Sequence, residues 1–413
     1  METTCRTDPT HQLMSIVGDG ALSCTMYRSF ETITELREEW DRFAETLSAD
    51  IFMTFDWCRV WWKHYGAGRS LLVYVFRHSG DIVGIVPMVA GPCGLPVVGA
   101  RLARVLGGDS TIQLENPPVR GAFAPAVFRH VTESLLRELH CDAVYWGPLS
   151  AGRPFTQAIE DAVQNGIPEG RRTERRRLGV QTVYALPADL ETYIGSMNKA
   201  TRKHVRSSRH RLSRDFDLRF ERAENEPGAF DAFVDMHTRQ WQAFHKLGHF
   251  DDWPGGRAYQ REQAETQGRQ GRLRLYRLML DGAPVVYRYG YLFAGRYHSF
   301  LPAREVNPQL DRYSLGQTSH VLTAERLLEE KACEIDSGPG HYPHKLQLGG
   351  EERDLVSVLV SADGRRCRLR VSALQLLSRL VHLLYYRIWF NRLAPRLPFP
   401  RKPLWKLWIR TRM

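Results

Sequence analysis

Between residues 311 and 345 the chain reads DRYSLGQTSHVLTAERLLEEKACEIDSGPGHYPHK, which sets Asp336, His341, Tyr342, His344 and Lys345 around a glycine-rich turn. Side chains of these types serve acid–base and oxyanion chemistry, because each can move a proton or face a developing negative charge. Just upstream, Ser314 and Gly316 precede Val321, Ala324, Leu327 and Leu328, an apolar repeat at helical spacing. A helix start carries backbone N–H groups with no intrahelical partner and can hold a phosphate. A helix cap followed by a tight turn explains the same spacing, since a lone G-x-G carries little information.

Such residues need elements to hold them, and the sequence supplies a repeated α/β plan. In the first half, residues 24–30 alternate like a strand, and Thr32 with Glu35 forms a capping box for a helix reaching Leu47. Residues 71–76 and 82–89 form a hairpin across Ser79-Gly80-Asp81, and 124–140 is an amphipathic helix before a strand at 142–146. In the second half, helices at 199–214 and 227–247 precede a hairpin of 273–280 and 283–293 turning on Asp281-Gly282. The helix and strand of the 311–345 stretch follow. Residues 147–195, rich in Gly, Pro and Arg, form the expected join.

The order Tyr313-Ser314-Leu315-Gly316, a helix, Asp336-Ser337-Gly338-Pro339-Gly340 and Lys345 resembles GNAT-type acyltransferases related to the CelD cellulose-biosynthesis proteins. Their pattern is roughly Y-S-P-G, helix, D-F-G-x-G and a Tyr-Lys pair. Three further stretches are similar in order: FMTFDWCRVWW at 52–62, GIVPM at 84–88 and NKATRKHVR at 198–206. Leu315 departs from the expected proline, Ser337 from an aromatic residue and His344 from a tyrosine. The resemblance implies a donor thioester, acyl-CoA or acyl-carrier protein, as co-substrate and no metal. It places Ser314, Leu315 and Gly316 at the phosphate end, with Arg312 adding charge and Gly338 and Gly340 on the same donor loop. Among the acid–base candidates it favours Asp336 as the orienting or basic carboxylate. Lys345 becomes the cation for an oxyanion or phosphate, with Tyr342 and His344 beside them.

Composition agrees with an enzyme of this kind. With 43% apolar residues in 413, the chain can bury two cores. Seven scattered cysteines without a C-x-x-C pair suggest neither a disulfide framework nor a zinc site, and read as reduced cytoplasmic thiols. The first thirty residues lack a secretion signal pattern, and no apolar run is long enough to span a membrane. The net charge of +11 is local: residues 361–413 hold thirteen Lys/Arg and one acid, Asp363, which leaves the rest near neutral. Leucines, arginines and tryptophans mix through 371–413, with prolines at 395, 398, 400 and 403. Such a mixture suits a segment lying on an anionic membrane. A helix packed on the body, or a homodimer contact, accounts for it as well.

The expected architecture is therefore two tandem GNAT-like α/β domains, each a mixed, largely antiparallel sheet flanked by helices. Residues 1–23 form a loose tail, 24–190 the first and structural domain, 191–362 the second, donor-binding domain, and 363–413 a basic aromatic amphipathic tail. Three functions fit. The leading one is transfer of an acyl group to an amine or hydroxyl of an envelope polysaccharide, lipid or metabolite precursor, in the cytoplasm or on the inner membrane face. The second is a Fem-type aminoacyl-tRNA-dependent transferase, whose RNA would meet the arginines of 171–222. The family's coiled-coil insertion is absent here, and outside this alternative nucleic acid is not a partner. The third is a non-catalytic scaffold at the membrane. Trp57, Trp61, Trp62, His237 and Trp241 read as core, Tyr287 to Tyr291 as a bracket for the acyl chain with Arg288 facing outward, and Asp109 and Glu115 as groove residues.

Overall fold

The structure, a computed structural model, describes residues 10–14, 22–95, 97–108, 116–164, 171–245, 248–251 and 255–397. Asp109, Glu115 and the tail beyond Leu397 lie outside the described residues. Two compact units emerge: Met1–Leu178 together with Leu355–Met413, and Gly179–Asp354. The chain crosses between them inside the strands Arg172–Ala185 and Glu351–Ser361. The expected join at 147–195 thus holds the helix Pro154–Gln164 and the whole strand Arg172–Ala185.

In the first unit the strands Thr10–Met14, Leu22–Tyr27, Ser70–His78, Asp81–Gly94 and Gly99–Val105 run antiparallel in order. Gly99–Val105 then pairs in parallel with Ala143–Ser150 over Leu102, Ala103 and Arg104, and 355–361 closes the sheet antiparallel to Ala143–Ser150. Helices Arg37–Thr46 and Phe55–Tyr65 fill the connection before Ser70, and Ala124–Glu133 fills the parallel crossover. The tail expected at 1–23 includes a strand, because the Leu22–Tyr27 edge offers free backbone groups to Thr10–Met14. The expected capping box does not form: Glu31–Leu36 winds as a 3₁₀ turn, and the Thr32 hydroxyl donates to the Ser29 carbonyl at 2.9 Å. Trp57 and Trp61 are buried core, as expected.

The second unit repeats the plan. Leu218–Arg222, Leu273–Leu280, Ala283–Phe293 and Arg296–Arg304 run antiparallel in order. Arg296–Arg304 pairs in parallel with Glu334–Pro339, and residues 181–185 close the sheet on its other side. Helices Ala229–Ala243 and Gly256–Arg269 precede the hairpin, and Leu315–Glu329 makes the crossover. Its core gathers Leu278, Val286, Tyr297, Leu315, Val321, Leu327 and Ile335. Each of these positions follows from alternation along a strand or helical spacing along the crossover.

One feature of this sheet shapes the site. The parallel ladder covers only Arg296↔Glu334, Tyr297↔Ile335 and His298↔Asp336. Beyond it, Ser299 to Arg304 stays with the hairpin strand, whereas Pro339 pairs with Gln181 on the far side. The two neighbours part and leave a wedge. Gly290 pairs with Ser299, one residue past that ladder, and a Cβ added there would lie 2.4 Å from the His298 carbonyl and 2.6 Å from the Tyr297 ring. Gly290→Ala should therefore cost about 1–3 kcal/mol by overpacking, read as a lowered urea midpoint with an unchanged slope. Gly282→Ala, where an added Cβ meets no atom within 4 Å but φ is +80°, provides a comparison that carries about 1–2 kcal/mol of left-handed backbone strain without a packing clash.

Candidate functional site

Four elements of the second unit build the candidate site: the start of Leu315–Glu329, the strand whose Arg288 bonds that start, the end of Glu334–Pro339, and the short helix Pro343–Gln347 whose Lys345 bonds that end. Ser314 caps the first of these in the left-handed region, at φ +49°. The N–H groups of Gln317 and Thr318 return to the Ser314 carbonyl at 2.9 and 3.0 Å. Those of Leu315 and Gly316 precede any intrahelical acceptor and point out of the helix start. Gly316 is exposed, and a Cβ added there meets no atom within 4 Å, so the space over the helix start is open. The Leu315 side chain is buried in the core and contributes only its backbone.

The helix Lys199–Asp215 braces this start. His204 Nε2 lies 2.7 Å from the Ser314 hydroxyl, and Arg211 donates to the Arg312 carbonyl at 3.0 Å. Arg312 itself is exposed and lies over the Tyr313 ring at 4.8 Å, and Tyr313 donates to Asp215 at 2.8 Å.

Asp336, the last residue of the parallel ladder, is 3% exposed. Its carboxylate accepts from the Gly338 N–H at 2.8 Å, and its other oxygen lies 3.4 Å from His298 Nδ1. Burial alone would raise its pKa, but His298, Gln181 and the Gly338 N–H outweigh it and hold the group at about 2. A carboxyl so acidic is a weak base and a good orienting charge. Lys345 is 8% exposed, and its ammonium donates to the carbonyls of Ser337 at 2.7 Å and Gly338 at 3.4 Å, 4.9 Å from the centre of the Tyr342 ring. Burial lowers its pKa to about 8, against the pull of Asp336 and Glu352. Tyr342 and His344 stand exposed at the rim with rings 5.6 Å apart, and burial together with Lys345 and Arg288 lowers the His344 pKa.

Gly338 and Gly340 do not offer their N–H groups to a ligand. Asp336 takes the first, and the Val180 carbonyl takes the second at 2.8 Å. Gly340, at φ +112°, leaves no room for a Cβ beside the Tyr342 ring.

Several site residues carry no sequence motif. Arg288 does not face outward as alternation with exposed solvent would have it. Tyr289 and Tyr291 are fully buried and pack with Phe300, so they belong to the core rather than to an open bracket. Arg288 lies on the opposite face, under the crossover helix, where it donates to the Ser319 hydroxyl at 3.1 Å and to the Gly316 carbonyl. His320 on that helix bonds the Tyr193 hydroxyl at 2.7 Å, and burial with Arg288 nearby lowers its pKa to about 3. Tyr184, whose hydroxyl partners Ser337, is pushed up to about 12 by burial. The period-2 pattern was the available signal: Arg288 and Gly290 share the face that faces the helix. His237 is core, bonded to the Pro302 carbonyl at 3.0 Å and to His249 at 3.1 Å.

Part of the sequence and the fold as a whole are matched by known proteins. Residues 199–346 match the family described as the acetyltransferase (GNAT) domain. This segment is similar to GNAT domains. It spans the bracing helix, the hairpin, the crossover helix and Lys345. Among solved structures, the chain superposes on FemX with a TM-score of 0.62 at 10% identity, covering 81% of this chain and 97% of FemX. The C-terminal domain of a putative lysylphosphatidylglycerol synthetase from Agrobacterium fabrum gives 0.49 at 14% identity, covering 84% and 96%. A tandem GNAT protein from the clavulanic acid biosynthesis pathway gives 0.44 at 14% identity, covering 86% and 99%. At 10% identity the likeness to FemX is one of fold. No curated protein matches the sequence.

The Asp336 carboxylate ties stability to pH. Its folded pKa lies below the ordinary 3.8, so its contribution is complete above that value and is lost as pH falls toward about 2. Thermal unfolding between pH 5 and 2 should therefore show a shallower loss in Asp336→Asn than in the parent; equal slopes would mean the carboxylate is not held ionised.

Proposed function

We propose that this GNAT-like domain transfers an acyl group from a thioester, acyl-CoA or acyl-carrier protein, to an amine or hydroxyl by direct attack on the carbonyl. The observation that carries this reading is the open helix start over Gly316 beside the wedge left by the parted strands. Phosphate oxygens of the donor lie on the N–H groups of Leu315 and Gly316, where the helix dipole favours negative charge. Thioester and acceptor then meet between the diverging strands.

The acceptor attacks, a tetrahedral oxyanion forms, the carbon–sulfur bond breaks and the thiolate takes a proton. Lys345 suits the last step, because an ammonium of pKa about 8 matches the acidity of a leaving thiol near 8.5. His344, exposed at the rim with its pKa lowered, accepts the proton of the incoming nucleophile. Asp336 holds the backbone of Gly338, and through it the carbonyls that position Lys345.

A second reading has its own support. The bracing helix carries Lys199, Arg202, Lys203 and Arg206 beside the helix start, and the fold superposes on FemX. A donor delivered on transfer RNA would meet those cations, and activity would fall steeply with salt.

Titration calorimetry of acetyl-CoA and a long-chain acyl-CoA, beside Gly316→Trp, tests the donor site. Gly316 faces open space, so the variant folds, and saturable binding should be lost in it. Binding of neither thioester to the parent chain excludes a free CoA donor and moves the test to charged tRNA and carrier protein. Once a donor is in hand, Lys345→Met should lower kcat by about 100-fold or more. The parent should lose activity as pH rises through about 8, where the ammonium is discharged, and Lys345→Met should lack that limb. Lys345→Arg should restore part of the rate without restoring the limb at 8.

A further inference from the structure

The long helix near the end of the described residues has one face spoken for. Residues Arg365–Leu380 form an α-helix that continues through a wider π-helical winding over Val381–Leu393. Val371 and Leu374 are buried in a cluster with Ala100, Leu102, Ala143, Tyr145 and Leu359 of the same unit. Arg370 bonds Asp142 at 3.2 Å and the Gly99 carbonyl at 3.2 Å, and Gln375 bonds Glu174 at 2.8 Å. These contacts fasten the first half of the helix to the first unit's sheet.

The opposite face carries leucines that face solvent: Leu369 at 70%, Leu376 at 58%, Leu380 at 43% and Leu383 at 44% exposure. Steps of seven and four residues place Leu369, Leu376 and Leu380 on one line along the α-helix, across from Val371, Leu374 and Gln375, and Leu383 follows in the wider winding. Leu384, Ile388 and Leu393 prolong the exposed apolar line, at steps of four and five that suit the wider winding, and Leu397 is exposed beyond it. Arg379, Arg387, Arg392 and Arg396 are exposed along its flanks. From residue 364 to residue 397 the sequence holds no aspartate or glutamate.

We infer that this face, residues 365–397, docks on the surface of an anionic lipid bilayer. The apolar line enters the boundary between headgroups and acyl chains, and the arginines meet lipid phosphates. Charge decides between occupants. Two copies packed through this face would bring arginine against arginine with no acid to pair them, whereas anionic headgroups satisfy both the leucines and the arginines. No described helix is long and apolar enough to cross a membrane, so the contact lies along the surface. Fastening through Val371, Leu374 and Arg370 then fixes the orientation of the first unit to the membrane plane.

Co-sedimentation of the full chain with phosphatidylcholine vesicles, with and without phosphatidylglycerol, tests this. Binding should require the anionic lipid and weaken with salt. Replacing Leu376, Leu380 and Leu383 together by Gln should reduce it at least about tenfold, as should replacing Arg379, Arg387 and Arg392 together by Gln. All six side chains are exposed or half-exposed, so an unchanged thermal transition accompanies the loss. The inference is overturned if the parent chain stays in the supernatant with anionic vesicles, or if the leucine variant binds like the parent. It is overturned equally if sedimentation velocity shows a dimer that the leucine variant converts to monomer, which would make a second copy the occupant.

Discussion

Within the second unit, the described strands run antiparallel to their neighbours save for one pair, and that pair holds for only three residues, 296–298 against 334–336. A fully paired sheet would leave no backbone free and no space between strands. Here the ladder ends at His298 and Asp336, each strand follows its other neighbour, and the carbonyls of Ser337 and Gly338 are turned loose from the sheet. Lys345 takes those carbonyls, Asp336 takes the Gly338 N–H, and the crossover helix begins beside the gap. Each part of the candidate site answers a backbone group or an opening that the parting creates. Gly290 keeps the hairpin strand close to the last paired residue, so the opening begins at one fixed point.

The same opening accounts for the electrostatics. A buried carboxylate and a buried ammonium are costly when isolated. Asp336 and Lys345 are both almost fully buried, yet their directions differ: hydrogen bonds to the charged form win for Asp336, and desolvation wins for Lys345. The result is one group fixed in charge and another poised to change it near neutral pH. Arg288, His320, Tyr184 and Tyr193 extend this balance beneath the crossover helix, where the neutral imidazole of His320 avoids a second cation beside the Arg288 guanidinium.

Much of this plan was legible in the sequence because local patterns dominate there. The hairpin on Asp281-Gly282 and the helix after Ser314 appear at the residues that turn chemistry and apolar spacing indicate. The helix Gly256–Arg269 was invisible to periodicity, because its buried face is built from Gln260, Gln263 and Gln267 rather than from aliphatic side chains. The closing strands were hidden for a different reason: residues 181–185 and 355–361 pair with partners far away in sequence, which no local window contains. In the site, Asp336 and Lys345 stood out by type and spacing. Arg288 and His320 did not, since what makes them part of it is the helix lying over one strand face. Gly338 and Gly340 looked available because a sequence does not show which N–H groups the loop itself consumes.

The origin of the closing strand has a consequence for synthesis. Ala143–Ser150 receives its antiparallel neighbour from residues 355–361, which the ribosome adds only after the whole of Gly179–Asp354. At about 5–20 residues per second, some tens of seconds separate the two strands. During that interval the first unit holds a hydrophobic strand, with Val144, Trp146 and Leu149 bound for its core, whose outer backbone edge has no partner. The second unit already owns its closing strand, 181–185, before the rest of it is made. The edge of Ala143–Ser150 therefore stays open until residues 355–361 emerge, whereas the second unit is synthesised with its closing strand already present.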